Sequence, residues 1–391
     1  MEIEFKIFTL NCWGIPVVSK HRKPRMQAIA EVLATSQYDV VCLQEVWTDG
    51  DFKLIRDKII GTYPFSHYFY SGVFGSGVCV FSKYPLHDVF FHQWPVNGYV
   101  HKLQHGDWFG GKGVGLCRIR VMDYNINIYS AHLHAEYDRK CDEYQAHRVL
   151  QAYDTAQFIQ LTSAAADLVV LAGDLNTEPG DLAYRILVSM TGLTDAFSEA
   201  DEIAQETSST NEALQNSYTP SSLIKKQIPG KRIDYVMYLG GSNIKVTMNH
   251  YHHPLPNRVP GCAYSYSDHE AVTATLKVTR DEVPVRIFDI SARTAVLKES
   301  MDICNTATKR LVNHKRCYWF FTVILFLLLI ATVATEAPFG QKVLYHIVHV
   351  LIVCAIGFTL FMATLWNMIE TNAVVAGKLA MELNMKQKQL F

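Results

Sequence analysis

The sequence predicts an α/β domain over residues 1–280, followed by a juxtamembrane stretch and a two-helix membrane hairpin. Three observations predict it. Up to about residue 280, short apolar runs of strand length alternate with stretches of helical periodicity. Polar residues recur at the ends of those apolar runs and not within them. Near the C-terminus, two uncharged apolar runs follow each other, each close to the ~20 residues that span a bilayer.

The opening MEIEFKIFTL alternates and carries acidic residues, so it reads as a strand and not as a secretory signal. Strand-like runs cover 3–12, 40–44, 77–82, 126–130, 168–172, 232–238 and 271–278. Helical spacing appears at Met26, Ile29, Ala30 and Leu33, and again at Ala146, Val149, Leu150, Tyr153 and Ala156. The stretch 198–231, rich in Ser, Asn, Gln and Lys, reads as a long surface loop. Aromatics crowd 63–109, among them Tyr63, Phe65, Tyr68, Phe69, Tyr70, Phe74, Trp94, Tyr99, Trp108 and Phe109. Most read as core; a minority would suit an apolar entry for lipid chains or a cation–π cage. The nine cysteines show no zinc spacing and, without a signal peptide, read as reduced, mostly buried small residues. The formal charge of −1 offers no basic stripe, so nucleic acid is not an expected partner.

Composition shifts near 281. Residues 285–313 have the pattern of an amphipathic helix, within a basic linker at 281–316. The spans are expected at about 317–335 and 343–366, in a C-terminal segment 317–391. Lys309, Arg310, Lys315 and Arg316 precede the first span, and Lys378, Lys386 and Lys388 follow the second, whereas the connecting loop holds only Glu336 and Lys342. The positive-inside rule then puts both termini and the large domain in the cytosol. His346 and His349 share a helix face near one end of the second span and read as interfacial polar residues of an anchor. Cys317, at the boundary, is a candidate for acylation.

Six motifs place polar residues at strand ends: Asn11 in TLNCWGIP, Glu45 in VVCLQE, His132 after INIYSA, Asp174 and Asn176 in LVVLAGDLN, Asp234 in RIDYVMY, and Asp268 with His269 in SYSDHEAVTATL. Each is weak alone. An Asp-His pair is usually a surface or capping feature, and GDLN is equally a turn with an Asx bond. Together, in this order, they supply what phosphodiester hydrolysis needs. Glu45, Asn11 and Asp268 offer hard oxygen ligands suited to Mg²⁺, with Mn²⁺ as a substitute. His269 is placed to deprotonate water, with Asp234 holding its tautomer. Asp174 aligns that water, Asn176 hydrogen-bonds a phosphate oxygen, and His132 stabilises the transition state from the opposite side.

The pattern resembles the endonuclease/exonuclease/phosphatase superfamily over about residues 3–278. The resemblance implies a four-layer α/β sandwich of two packed mixed sheets, as in deoxyribonuclease I, with Glu45 as principal metal ligand and Asp234–His269 as a catalytic pair. Within it, LNCWGIP at 10–16, LQEVW at 43–47, FSKYP at 81–85, HGDWFGGKGVG at 105–115, SAHLHAEY at 130–137 and GDLNTEP at 173–179 are similar to the neutral sphingomyelinase branch. The two spans resemble those of its hairpin-anchored members. That implies hydrolysis of sphingomyelin to ceramide and phosphocholine at a cytosolic membrane face such as that of the endoplasmic reticulum, with anionic lipids as activators. Related activities on lyso-phospholipids or ceramide phosphoethanolamine are the alternatives. A nuclease, a phosphoinositide phosphatase or a catalytically dead scaffold fits less well, since every expected catalytic position is filled.

GDWFGGKG nearly matches the phosphate loop G-x-x-x-x-G-K-[ST], but its last position is Gly113 and a strand follows where that motif opens a helix. It therefore reads as a glycine-rich connector or lid. The branch resemblance implies that Asp107 and Lys112 form a switch, with Lys112 paired to Asp107 when the loop is closed and reaching substrate when it is open.

Overall fold

Alternation builds the first strand, and both of its faces are covered. In β1 (Glu2–Asn11), Ile3, Phe5 and Ile7 enter one apolar cluster and Phe8 and Leu10 another. The first cluster lies between two sheets, since it also takes in Ile126 and Ile128 of β7 (Tyr124–His132) and Leu168 and Val170 of β8 (Leu168–Asp174). The second lies beneath helices. It adds Met26, Ile29 and Leu33 of α1 (Arg22–Thr35) and Ile55 and Ile59 of α2 (Asp49–Ile59). The computed structural model describes residues 2–102, 104–200, 209–281 and 289–387.

The first sheet runs β11-β12-β1-β2-β4-β3, using β2 (Val40–Gln44), β3 (Phe65–Tyr68), β4 (Cys79–Ser82), β11 (Ile244–His252) and β12 (Val272–Arg280). The second runs β5-β6-β7-β8-β10-β9, adding β5 (Leu86–Gln93), β6 (Gly113–Val121), β9 (Thr194–Asp195) and β10 (Asp234–Gly240). β1 pairs parallel to β2, and β7 parallel to β8; the other pairings are antiparallel. Helices α3 (Gln145–Thr162) and α4 (Leu182–Thr191) pack together. α3 meets the second sheet through Phe158 on Tyr129 and through Thr155, which accepts the Trp94 indole N–H at 3.2 Å. Helices, sheet, sheet and helices make four layers, the expected sandwich.

The elements that sequence periodicity left out have identifiable reasons. β3 is four residues long, too short to show a period. β5 lies at a sheet edge with mostly exposed side chains. β11 is mixed in polarity and carries a bulge at Met248–His250. The expected surface loop 198–231 needs correction in its described part, since 201–208 lie outside the described residues. Thr210, Ala213, Asn216 and Thr219 are buried, and a short helix, Ser221–Lys226, interrupts it. Its polar composition reflects hydrogen bonding inside the fold: Asn216 donates to Ser267 O and to Glu270, and Thr210 Oγ1 accepts the N–H groups of Ile233 and Asp234.

The chain divides into two units, Met1–Val296 and Leu297–Phe391. Residues 282–288, where the expected linker begins, lie outside the described residues. From Ile290 one helix continues to Val333 without a break between the amphipathic stretch and the first span. The return helix is Lys342–Phe361, then a π-helical turn at Met362–Trp366, then Asn367–Gln387. Both long helices are apolar and long enough to cross a membrane. They form a hairpin tied by hydrogen bonds between partners far apart in sequence. Asn367 donates to Leu311 O at 2.9 Å, Thr322 to Thr359 at 2.9 Å, and His349 meets Thr332 Oγ1 at 3.0 Å. His349 thus serves the helix–helix contact, where an unmet polar group would be costly in hydrocarbon.

The two parallel strands of the second sheet approach closely at Gly173. A Cβ there would stand 2.0 Å from Ala131 O, on a backbone with φ 144. We expect Gly173→Ala to cost at least about 2 kcal/mol in urea unfolding. A midpoint equal to the parent's would show that this close approach is not a constraint.

Candidate active site

Strand direction collects the polar ends at one edge. β1 and β2 run parallel, so Asn11 and Glu45 leave the first sheet together. β12 runs antiparallel beside β1, with Thr9 opposite Val272, so Asp268 and His269 arrive at the same edge. In the second sheet His132 pairs with Asp174, and Asp174 with Asp234. All six sequence motifs therefore converge. β6 begins there too, since Val114 lies opposite Ala131, and this brings Lys112 in.

Asn11 joins the two sheets. Its Nδ2 donates to Glu45 Oε1 at 3.1 Å and to Asp174 Oδ2 at 2.9 Å. Its Oδ1 accepts the Trp13 N–H at 2.9 Å, and a backbone N–H can only donate, so the amide orientation is fixed. Trp47 Nε1 lies 3.5 Å from the other Glu45 oxygen. His269 Nδ1 meets Asp234 Oδ2 at 2.8 Å. The second Asp234 oxygen has no hydrogen-bond partner among the described residues, and the side chain is fully buried. His269 Nε2 faces Asp174 Oδ2 across 4.0 Å. Asp174 also accepts the Asn176 N–H at 2.9 Å, while Asn176 Nδ2 donates to Leu133 O at 3.0 Å. Trp13, Glu45 and Asn176 all have positive φ, at 45, 56 and 44, which concentrates backbone strain around this edge.

His132 Nε2 lies 3.4 Å from Asp174, 4.0 Å from Glu45 and 3.1 Å from Lys112 Nζ. Lys112 is buried, pairs with Asp107 at 2.6 Å and donates to Leu133 O at 3.0 Å. Asp107 and Lys112 are thus in contact with each other, and Lys112 at the same time touches the site. Asp107 also accepts the Tyr137 hydroxyl at 2.8 Å and lies 3.5 Å from His134 Nε2.

Burial and charge move these groups away from their ordinary behaviour. Burial, then the charge on Asp234, pushes the Asp174 carboxyl up to about 7. Burial, then Asp268, raises Glu45; burial also raises Asp268. Burial opposes ionisation of Asp107, yet Lys112 and His134 hold it below the usual carboxylate range. His132 is held well below an ordinary imidazole by burial and Lys112. His134 falls to about 4, mainly through burial. For His269 burial acts downward, but Asp234, Asp174 and Asp268 outweigh it and raise the imidazole well above its ordinary value.

The donor chemistry fits a hard divalent cation. Asp268 disfavours ionisation of Glu45 and Asp234 that of Asp174, and ligand atoms of Asp174, Asp234 and His269 lie within 4.8 Å of one another. In that triplet His269 Nδ1 is already bonded to Asp234, so the oxygens of Glu45 and Asp268 suit Mg²⁺ better. Asn11, expected as a further ligand, turns its Nδ2 to Glu45 and Asp174 and its oxygen to the Trp13 N–H, and so orients those carboxylates instead.

Sequence reading passed over Arg25, Tyr137, His134, Trp47 and Asn211, whose Nδ2 lies 3.5 Å from Asp268 O. Arg25 is wholly buried and gives its guanidinium to the carbonyls of Cys12, Trp13, Lys20 and Tyr266, at 2.7–3.1 Å. It pins the segments that follow Asn11 and precede Asp268. An arginine within an amphipathic helix gives no signal of this. His134 and Tyr137 do lie within SAHLHAEY, the former two places from His132 along an extended chain.

The endonuclease/exonuclease/phosphatase family matches residues 8–269. The chain belongs to that family. A Drosophila melanogaster protein named as a neutral sphingomyelinase is 38% identical over all of this chain and 98% of its own length. The human sphingomyelin phosphodiesterase 2 is 42% identical over 71% of this chain and 65% of its own. A mutant of the Staphylococcus aureus beta toxin with bound magnesium ions has a TM-score of 0.53 at 18% identity, over 70% of this chain and 99% of that one, a likeness of fold alone. As a member of the endonuclease/exonuclease/phosphatase family, the chain is a phosphodiesterase hydrolase.

The electrostatics set the pH dependence of stability without metal. Below pH 6.5 the neutral imidazoles His132 and His134 favour unfolding, because the unfolded chain binds protons there that the native state refuses. Above pH 6.5 that opposition ends. Asp174, protonated up to about 7 in the native state, and His269, protonated higher still, then lose protons that stabilise the fold. The melting temperature in EDTA should therefore fall as pH rises above 6.5. Asp174→Asn and His269→Gln should each flatten the fall, and Mg²⁺ should raise the melting temperature most at the alkaline end. A rising profile in EDTA, or equal Mg²⁺ effects at both ends, would contradict this electrostatic picture.

Proposed function

We propose that the chain is an Mg²⁺-dependent neutral sphingomyelin phosphodiesterase that hydrolyses sphingomyelin to ceramide and phosphocholine at the cytosolic face of a membrane. The observation that carries the reading is the His269–Asp234 pair, whose free Nε2 faces Asp174 across 4.0 Å. That gap suits one water held between an imidazole and a carboxylate. His269 Nε2 takes the water's proton as its oxygen bonds phosphorus, and Asp234 keeps the tautomer and offsets the charge left on the ring. The bond from phosphorus to the ceramide oxygen breaks. Asn176 offers its amide to a phosphate oxygen. His132 and Lys112, on the other side of Asp174, provide donors for charge that builds in the transition state.

Glu45 and Asp268 would hold the cation, with the Asn11 amide orienting the Glu45 carboxylate. A divalent ion bound there supplies charge neutralisation at the phosphate and the leaving oxygen. Asp268, which with Asp234 and Asp174 raises the His269 imidazole, is also a carboxylate that a cation would neutralise, so metal loading and base function are linked.

The whole-length likeness to a protein named as a neutral sphingomyelinase supports the lipid substrate. The basic flanks of the apolar helices support cytosolic termini and activation by anionic lipid. Lyso-phospholipids and ceramide phosphoethanolamine share the scissile group and are the competing substrates.

A headgroup-release assay on the full chain tests the reading. Sphingomyelin, ceramide phosphoethanolamine, lyso-phosphatidylcholine and duplex DNA are offered in turn, in EDTA and then with Mg²⁺ or Mn²⁺. Sphingomyelin turnover should require metal, and DNA should be untouched. His269→Ala should lower turnover at least ~10²–10⁴-fold with the fold intact, and Glu45→Ala should prevent rescue by metal. Full activity after EDTA dialysis, or near-normal turnover in well-folded His269→Ala, would overturn the assignment.

A further inference from the structure

Two loop tips at the active-site edge expose apolar side chains that packing does not explain. After Asn11 the chain turns through IPVV at 15–18, where Val18 is 66% exposed and Val17 104%. Val17 also has φ 70. A β-branched residue in the left-handed region is a conformational outlier, and here its side chain gains no core contact in return. The turn is nonetheless defined. The Val18 N–H reaches Pro16 O at 2.8 Å, and the Ser19 N–H reaches Ile15 O at 3.1 Å. Such local strain, held by its surroundings, points to use.

The second tip, 70–74, leaves the far end of β3. β3 and β2 both pair antiparallel to β4, so β3 runs with β1 and β2 and its tip emerges at the edge of Asn11 and Glu45. Val73 is 66% exposed and Phe74 62%. This tip is braced as well. The Val73 N–H donates to Phe109 O at 2.9 Å, and the Phe74 and Phe109 rings lie 5.9 Å apart. The backbones of Gly72 and Gly111 approach so closely that a Cβ on Gly72 would stand 2.6 Å from Gly111 N. Exposed Lys20 and Lys23 follow the first tip. By contrast Met122, also exposed, stands singly in the turn between β6 and β7, at the opposite edge.

We propose that the tips at 15–18 and 70–74 insert into the interfacial layer of a lipid bilayer and seat the mouth of the site on its surface, with Lys20 and Lys23 against anionic headgroups. The inference rests on the reading that the substrate is a membrane lipid. A phosphodiester at the bilayer surface reaches buried carboxylates only if the rim around them meets that surface squarely. Tethering by a hairpin raises local concentration but does not set that angle. Two braced apolar tips on one edge do.

The test uses the full chain reconstituted in phosphatidylcholine–phosphatidylserine vesicles. Val18→Trp, Phe74→Trp and, at the opposite edge, Met122→Trp are compared with wild type for fluorescence quenching by brominated phosphatidylcholine. Added quenching at 18 and 74 but not at 122 is expected. Added quenching equal at all three positions, or absent at both tips, overturns the proposal. The paired variants Val17→Ser/Val18→Ser and Val73→Ser/Phe74→Ser should each lose at least roughly tenfold on vesicle-borne sphingomyelin, since withdrawing even one buried apolar side chain has that effect. Hydrolysis of a short-chain monomeric sphingomyelin should stay within about twofold of wild type. Equal losses on both substrates would assign the tips to the shape of the site and refute docking. Quenching does not depend on turnover, so it still decides the docking question if sphingomyelin proves the wrong substrate.

Discussion

The site depends on holding several carboxylates together between two sheets, where their mutual repulsion and burial both oppose it. One amide carries much of that task. Asn11, at the end of β1, donates to Glu45 of its own sheet and to Asp174 of the other. It stitches the sheets together at the point where like charges would part them. Asn can do this because its two amide hydrogens diverge while its carbonyl is occupied by the Trp13 N–H. Neighbouring groups then share the load: Lys112 beside Asp107 and His132, His269 beside Asp234, and Arg25 on the carbonyls of the flanking loops. The residual repulsion is stored as shifted proton affinities at Asp174, Glu45 and His269, which is the condition that favours a hard divalent ion.

That condition explains the strain around the edge. Trp13, Glu45 and Asn176 each follow a strand end and each adopt positive φ. The turn lets a polar side chain fold back into the cleft while the strand itself stays apolar and buried. The Asp107–Lys112 segment follows the same logic. Its glycines let the backbone pass close to Trp47 and to Gly72, where a Cβ at 110 or 111 would collide. This is why a glycine-rich stretch that superficially matches a nucleotide loop leads instead into a strand and delivers a buried lysine.

The second unit solves a different problem. Its helices are apolar around most of their surface, so packing between them gains little from burial alone. Polar ties at Asn367–Leu311, Thr322–Thr359 and His349–Thr332 fix their register.

The sequence by itself determined the α/β class, the main buried strands and the two long apolar helices, and it proposed ten candidate site residues. Asn11, Glu45, His132, Asp174, Asp234 and His269 were legible because a polar group at the end of an apolar strand has only one favourable place to go. What only the tertiary structure decided is which groups touch. No period in the chain says that Asn11 bridges Glu45 and Asp174, that Arg25 pins two loops remote in sequence, or that the polar segment around Thr210 and Asn216 is buried against the site. Nor does any pattern announce edge strands such as β5, whose side chains are mostly exposed. These are outcomes of strand order and direction, and hydrogen bonds between segments more than a hundred residues apart leave no trace in local periodicity.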